Sequence, residues 1–246
     1  MKHSVLQIGI RICSLLIVGL WSAGCQSSNE KLAHFGDSPT EVSTAKQFTL
    51  EGGIVVNIHD GEVLIPGKIA LDRGWLEVVA CIEGTREHEA IFVTAVQPVF
   101  VHAALLLIGA EPGAPARYDA HSKTSTLAYG TKVHVAIEWE DSGENICRRP
   151  VCELVEIEGQ TSMPEFVFAG SLTLPNPPSK GPGEYYVADY GGTVVGLATF
   201  GDEVVATKKV HSPDLGIQPA AWRIAPGELP PPGTPARLVL NIDRTN

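Results

Sequence analysis

The sequence predicts an α+β fold, a β-rich domain with many short antiparallel strands and one main helix at about residues 98–108. Short runs rich in β-branched and aromatic residues recur between turn dipeptides such as Asp60-Gly61. One segment, which begins at Pro98, combines a helix start, helical spacing of apolar residues and a glycine stop. Strands do not alternate regularly with helices, which argues against a parallel βαβ architecture.

The predicted strands follow one another from residue 50 onward, and we expect the last of them at the edge of a sheet. They are 50–59, 62–65, 75–82, 88–94, 132–140, 151–158, 165–174, 184–187, 192–200, 203–207 and 237–242. Two proline-rich stretches, 175–183 and 226–235, are expected to be loops because proline cannot donate a hydrogen bond within a sheet.

The predicted helix has clear signals at both ends. Pro98 suits the first turn, where a missing N–H has no consequence. Val99, Ala103 and Leu106 lie near helical spacing, and Gly109 provides a stop.

The first 24 residues have the features of a bacterial export signal. Lys2 and Arg11 form a basic start, residues 12–21 are mostly apolar, and small residues precede Cys25. A membrane-spanning helix needs roughly 20 apolar residues, so this run is short for one. The sequence therefore predicts a signal peptide at residues 1–24.

Cys25 follows Ser22-Ala23-Gly24, a pattern that is similar to a bacterial lipobox, although Ser22 stands where Leu is usual. We expect a diacylglycerol on this thiol and an acylated N-terminus, which together form a durable membrane anchor. Ordinary cleavage that leaves a free Cys25, or an uncleaved anchor, are the alternatives.

Three segments are therefore expected: the signal peptide, a lipidated polar tether at residues 25–46, and a β-rich domain at residues 47–246. The expected location is the cell envelope, where the lipid anchor holds the protein on the periplasmic or outer face of a membrane.

The charge balance argues against nucleic acid as a partner. The chain has 18 basic and 28 acidic residues, a formal net charge of −10. Removal of Lys2 and Arg11 with the signal peptide makes it more negative by two. Nucleic-acid binding depends on lysine and arginine against phosphate, so we expect no nucleic-acid partner. The membrane is an expected partner through the lipid anchor, and a protein partner or small ligand stays unidentified.

His88, Glu89 and His102 form a candidate metal or ligand site, since imidazole nitrogen and carboxylate oxygen suit a divalent ion such as Zn²⁺. On a strand His88 and Glu89 would point to opposite faces, so at most one of them, with Glu87 on the face of Glu89, would join His102. The alternative is that His102 is a hydrogen-bonded core residue and that the carboxylates are solvated. No other cofactor is expected.

Cys147 and Cys152 are a candidate disulfide, since the exported compartment is oxidising and Pro150 favours a turn between them. The small loop would contribute roughly 2 kcal/mol. A redox or metal role together with Cys81 is the alternative, in which Arg148 and Arg149 lower a thiol pKa. Cys81 itself is expected to be a buried apolar residue.

Several stretches resemble the YdjY-type domain, a family of exported bacterial proteins, over roughly residues 50–215. They are Trp75–Cys81, Glu87–Ile91, Val101–Leu106, Gly109–Gly113, Phe166–Ser171 and Ala188–Phe200. A redox or ferredoxin-like role attaches to the family name. An iron–sulfur cluster normally needs four cysteines, which the three left after residue 25 cannot supply.

The expected function is a lipid-anchored binding or structural module, more in keeping with the sequence than an enzyme. The sequence contains neither a Gly-x-Ser-x-Gly nucleophile turn nor a phosphate-binding glycine loop. A metal-binding or redox protein that uses His88, Glu89 and His102 is the alternative, and a hydrolase with a site assembled from separated residues has no positive support.

Overall fold

A closed barrel of eight strands forms the centre of the protein. The computed structural model describes residues 47–119, 121–158 and 163–243. Its strands are β1 (Gln47–Thr49), β2 (Val55–Asn57), β3 (Glu62–Ile69), β4 (Trp75–Leu76), β5 (Val78–Ile82), β6 (Ala90–Thr94), β7 (Arg117–Asp119), β8 (Thr124–Thr126), β9 (Lys132–Glu140), β10 (Ile146–Pro150), β11 (Val155–Ile157), β12 (Phe166–Phe168), β13 (Thr173–Pro175), β14 (Glu184–Tyr186), β15 (Thr193–Gly196), β16 (Val205–Thr207), β17 (Trp222–Ile224) and β18 (Pro235–Ile242). The helices are α1 (Pro98–Leu107), α2 (Val151–Leu154) and α3 (Val187–Gly191), with single 3₁₀ turns at Glu51–Gly53, Glu87–Glu89 and Pro178–Lys180.

The barrel runs in the order β3-β18-β9-β12-β16-β15-β5-β6, and β6 pairs back with β3 to close it. Neighbours are antiparallel except for β15 with β16 and β5 with β6, which are parallel. Strands β1 and β2 extend from the edge of β3, and β10 pairs with β9. A small sheet, β11-β17-β4, and the hairpins β7–β8 and β13–β14 complete the described part.

The predicted α+β class with one main helix is therefore wrong. The described residues are 41% strand and 15% helical, with three short helices beside the closed barrel. Helix α1 lies where the sequence places a helix, but it has ten residues and forms no layer of its own. The reason is that closure joins strands far apart in the chain, which local patterns do not encode.

The barrel closes where β3 and β6 meet, and Gly67 permits this contact. Lys68 pairs with Val93 and Ile69 with Phe92. A Cβ atom at Gly67 would lie 2.3 Å from the carbonyl oxygen of Val93 and 2.4 Å from the Phe92 ring. Both are far inside van der Waals contact, so no larger residue fits here without moving the strands.

Matched side chains on β9 and β18 fill part of the barrel interior. Trp139 faces Ala236, and Ile137 faces Leu238, across the antiparallel pair. A large residue opposite a small one keeps the thickness of the core even.

Three strand predictions change in the structure. Residues 237–242, expected at an edge, belong to β18, which pairs with both β3 and β9. The stretch 151–158 begins as helix α2 before it becomes β11. The predicted strand 88–94 begins only at Ala90, because residues 87–89 form a 3₁₀ turn.

Residues 44–246 form one compact unit, whose main core is drawn from Ile54 to Ile242. The predicted signal peptide, Cys25 and the whole tether lie outside the described residues. None of the helices in the described ranges is long and apolar enough to cross a membrane.

Candidate functional site

Arg86 contacts a buried acidic group, which consists of the neighbouring residues Asp202 and Glu203. Its guanidinium donates to the carbonyl of Gly191 and to the Thr193 hydroxyl, both at 2.6 Å, and pairs with Asp202 at 3.3 Å. Its central carbon lies 4.0 Å from the centre of the Phe200 ring, which is a cation–π contact. Arg86 thus joins three separate segments of the chain.

Glu203 is the second member of this group and is 1% exposed. One oxygen accepts hydrogen bonds from the backbone N–H groups of Phe200 and Gly201. The other oxygen, and one oxygen of Asp202, have no hydrogen-bond partner among the described residues. Burial raises the pKa of Glu203 to about 7, opposed by the two backbone donors.

Gly196 makes the space that Glu203 occupies. A Cβ atom on Gly196 would lie 2.4 Å from the Cγ atom of Glu203. The carboxyl group can therefore reach back to the 200–201 turn and hold its backbone. The protonation state of Glu203 therefore affects the hydrogen bonds that hold the backbone of this turn.

The same turn forms part of the wall of an apolar cleft of about 970 Å³. The cleft lies between the β7–β8 hairpin, the start of α3 and the 210–218 loop. Its lining comprises Ala116, Arg117, Tyr118, Ser125, Leu172, Val187, Thr199, Phe200, Gly201, Val210, Ser212, Pro213, Ile217 and Gln218. Small-molecule sites have this character, with mostly apolar walls and a few polar groups.

A second polar cluster involves His102 of helix α1. His102 Nδ1 is 2.9 Å from the Tyr186 hydroxyl, which donates to the Gly170 carbonyl at 3.1 Å. The His102 ring packs edge-on against Phe168 and Tyr186. Burial lowers the pKa of His102 and raises that of Tyr186, so both groups are neutral at pH 7.

Ser171 connects the two clusters. It follows Gly170 with a φ of 54°, a left-handed conformation that is uncommon for a residue with a side chain. Its backbone N–H donates to the Glu203 carbonyl at 2.9 Å. Hydrogen bonds therefore connect the acidic group, the 200–201 turn and the His102 cluster with one another.

The comparison with known protein families supplies one match. A family model described as the YdjY domain matches residues 54–241. The chain belongs to the YdjY domain family. The predicted resemblance is confirmed, and the match extends beyond the expected 50–215 to include β18. Neither a curated protein nor a solved structure matches the chain.

The residues predicted as a metal or ligand site have different surroundings in this YdjY domain. His88 lies in the 3₁₀ turn with a side chain 74% exposed, 3.9 Å from Glu89. Glu89 also hydrogen-bonds Glu77, whose pKa rises to about 7, first through burial and then through this carboxyl neighbour. His102 instead contacts Tyr186. Within the described ranges no three His, Cys, Asp or Glu residues could hold a metal together, and metal binding stays a prediction.

The cysteines of the YdjY domain lie on three elements. Cys147 is in β10 and Cys152 in α2, and both are free thiols in the structure. The disulfide between them stays a prediction from their spacing. Cys81 is fully buried in β5, and burial raises the pKa of its thiol, which opposes reactivity.

The sequence pattern assigned no site role to Arg86, Asp202 or Glu203. One signal was available, because Glu203 is a charged residue directly before the three apolar residues 204–206 of a predicted strand. Such a carboxylate is seldom buried without a partner. Arg86 pairs with the neighbouring Asp202 and lies more than 100 residues away in the chain, so it could not be assigned to this site without the fold.

Proposed function

We propose that the protein is a lipid-anchored module of the bacterial cell envelope that binds an apolar ligand in the cleft beside Phe200. The observation that carries the binding proposal is the cleft itself. It has largely apolar walls, and the turn 200–201 at its wall is braced by buried groups on two sides. A braced, preformed cleft loses little conformational freedom when a ligand enters.

Binding is tested with a neutral apolar fluorophore, N-phenylnaphthylamine, and the compact unit 44–246. Ile217 lines the cleft and is 75% exposed, so Ile217→Asp places a charge there without disturbing the core. We expect this variant to lose most of the fluorescence gain. Ile146, 56% exposed on β10 and outside the cleft lining, supplies the matched control Ile146→Asp. Equal binding by both variants would refute the cleft as the binding site.

The anchor is supported by the residues that precede Cys25. Mass spectrometry of the N-terminal peptide from membrane fractions should find diacylglycerol on Cys25. The variant Cys25→Ser should leave the membrane fraction, whereas Cys13→Ser, within the signal peptide, should not. A wild-type peptide that carries no lipid would contradict the anchor and leave the binding proposal untouched.

A further inference from the structure

The cleft differs in charge from the rest of the chain. Among the described residues that line it, Arg117 is the one that carries a full charge at neutral pH. The chain as a whole has 28 acidic and 18 basic residues. An apolar cleft whose single charge is positive, in an acidic protein, favours a ligand with a negative group.

Arg117 also differs from the other arginines in the described ranges. Each of the others forms an ion pair with a carboxylate, whereas Arg117 forms none with any residue that the structure describes. The paired arginines are Arg73, Arg86, Arg148, Arg149, Arg223 and Arg237. A guanidinium left without a protein carboxylate can bind one from a ligand through two parallel hydrogen bonds.

Three acidic residues directly follow lining residues of the cleft, and each has another partner. Asp202, next to Gly201, pairs with Arg86 at 3.3 Å. Asp119, two positions after Arg117, accepts hydrogen bonds from the His121 backbone N–H and the Ser122 hydroxyl, both at 2.8 Å. Asp214 accepts one from the Gly216 backbone N–H, also at 2.8 Å. The carboxylates of Asp119 and Asp214 hold their own turns, and neither forms an ion pair with Arg117 in the described part of the chain.

The remainder of the lining suits an aliphatic chain. Leu172, Val187, Val210 and Ile217 present branched apolar side chains, and Phe200 adds an aromatic ring. Each methylene group buried against such walls adds to the binding free energy, so the affinity for an aliphatic chain rises with its length. The volume of about 970 Å³ lies within the range of drug-sized ligand sites.

We propose that the ligand is a long-chain aliphatic carboxylate, whose head group pairs with Arg117 and whose chain lies against Leu172, Val210 and Ile217. This inference rests on the proposed function, because it specifies the ligand class of the same cleft. The head group selects the ligand and the chain supplies most of its affinity.

Displacement of N-phenylnaphthylamine from the unit 44–246 tests the inference, with dodecanoate and dodecanol as competitors of equal chain length. We expect dodecanoate to bind about five-fold more tightly, the scale of an exposed ion pair, and the preference to shrink at high ionic strength. Arg117→Gln should abolish the preference for dodecanoate over dodecanol. Lys123→Gln removes a positive charge from the same hairpin outside the cleft, and should retain the preference.

The outcomes separate the inference from the proposed function. Equal binding of both competitors to the wild type, or equal losses in Arg117→Gln and Lys123→Gln, would overturn the carboxylate while the apolar cleft stands. If neither competitor displaces the fluorophore, and Ile217→Asp still binds it as well as Ile146→Asp, then the binding function itself fails.

Discussion

The guanidinium of Arg86 stacks on the ring of Phe200, with 4.0 Å between its central carbon and the ring centre. The same guanidinium pairs with the buried Asp202, so one side chain connects the acidic group to the wall of the cleft. The binding surface and the stability of the barrel end therefore depend on the same contact.

Replacement of this arginine should affect both properties. Arg86→Gln leaves Asp202 buried without its cation, and we expect a loss of roughly 2–3 kcal/mol in the free energy of unfolding, measured in urea. N-phenylnaphthylamine should also bind more weakly, because Phe200 loses its support. Arg73→Gln removes an exposed pair with Asp72 and should change neither property. Equal stability of the two variants would contradict a structural role for Arg86.

Stability should fall as the pH rises from about 4.5 to above 7. The pKa of Glu203 in the folded protein is raised from 4.5 to about 7, so the folded state binds a proton more tightly than the unfolded state. The stabilisation is complete below the unfolded pKa and is lost as the pH passes the folded pKa, by roughly 3 kcal/mol at 1.36 kcal/mol per pKa unit. The pKa of Glu77 is also raised to about 7, so this residue contributes to the same pH dependence.

The variant Glu203→Gln isolates this effect, because the amide does not ionise and its oxygen can still accept from Phe200 and Gly201. Urea unfolding across the pH range should show a flatter profile than that of the wild type. Glu165→Gln is the control, since Lys208 lowers the pKa of that exposed carboxylate and its removal should not flatten the decline. An unchanged profile in Glu203→Gln would contradict the assignment.

The hydroxyl of Tyr186 should contribute to stability. Tyr186→Phe removes the contacts with His102 and Gly170 and leaves both without that partner, at a cost of about 1–2 kcal/mol in the free energy of unfolding. The imidazole signals of His102 in an NMR spectrum should shift as well. Tyr190, 78% exposed, provides the control Tyr190→Phe, which should unfold like the wild type.

Closure of the barrel should depend on the absence of a side chain at residue 67. Gly67→Ala places a methyl group against Val93 and Phe92 and should lower the free energy of unfolding by more than about 3 kcal/mol. Gly216→Ala, in an exposed loop where the nearest atom is a carboxylate oxygen of Asp214, should be tolerated. Similar melting temperatures for both variants would show that the β3–β6 contact is not tight.

Much of the secondary structure could be predicted from local pattern. The strand signal at residues 132–140 matches β9, and Asp60-Gly61 predicts the turn before β3. The sequence predicts the strand at 237–242 at an edge. Its place between β3 and β9 depends on partners more than 90 residues away, which no local signal reveals.

The candidate site shows the same division. The sequence groups three residues by type: His88, Glu89 and His102. In the structure a 3₁₀ turn exposes His88, and His102 hydrogen-bonds Tyr186 instead. A strand would have given His88 a fixed face, whereas the turn at residues 87–89 does not. Residue chemistry alone cannot say which polar group will be desolvated.

By itself the sequence determined the family, the position of helix α1 and the course of most strands, because these depend on short-range spacing, turn residues and motif identity. The tertiary structure alone decided that the barrel closes, that Glu203 is buried, and that Arg117 lines an apolar cleft without an ion pair to any described residue. The physical reason is that strand pairing, desolvation and charge neutralisation are set by neighbours in space, and here those neighbours lie far apart along the chain.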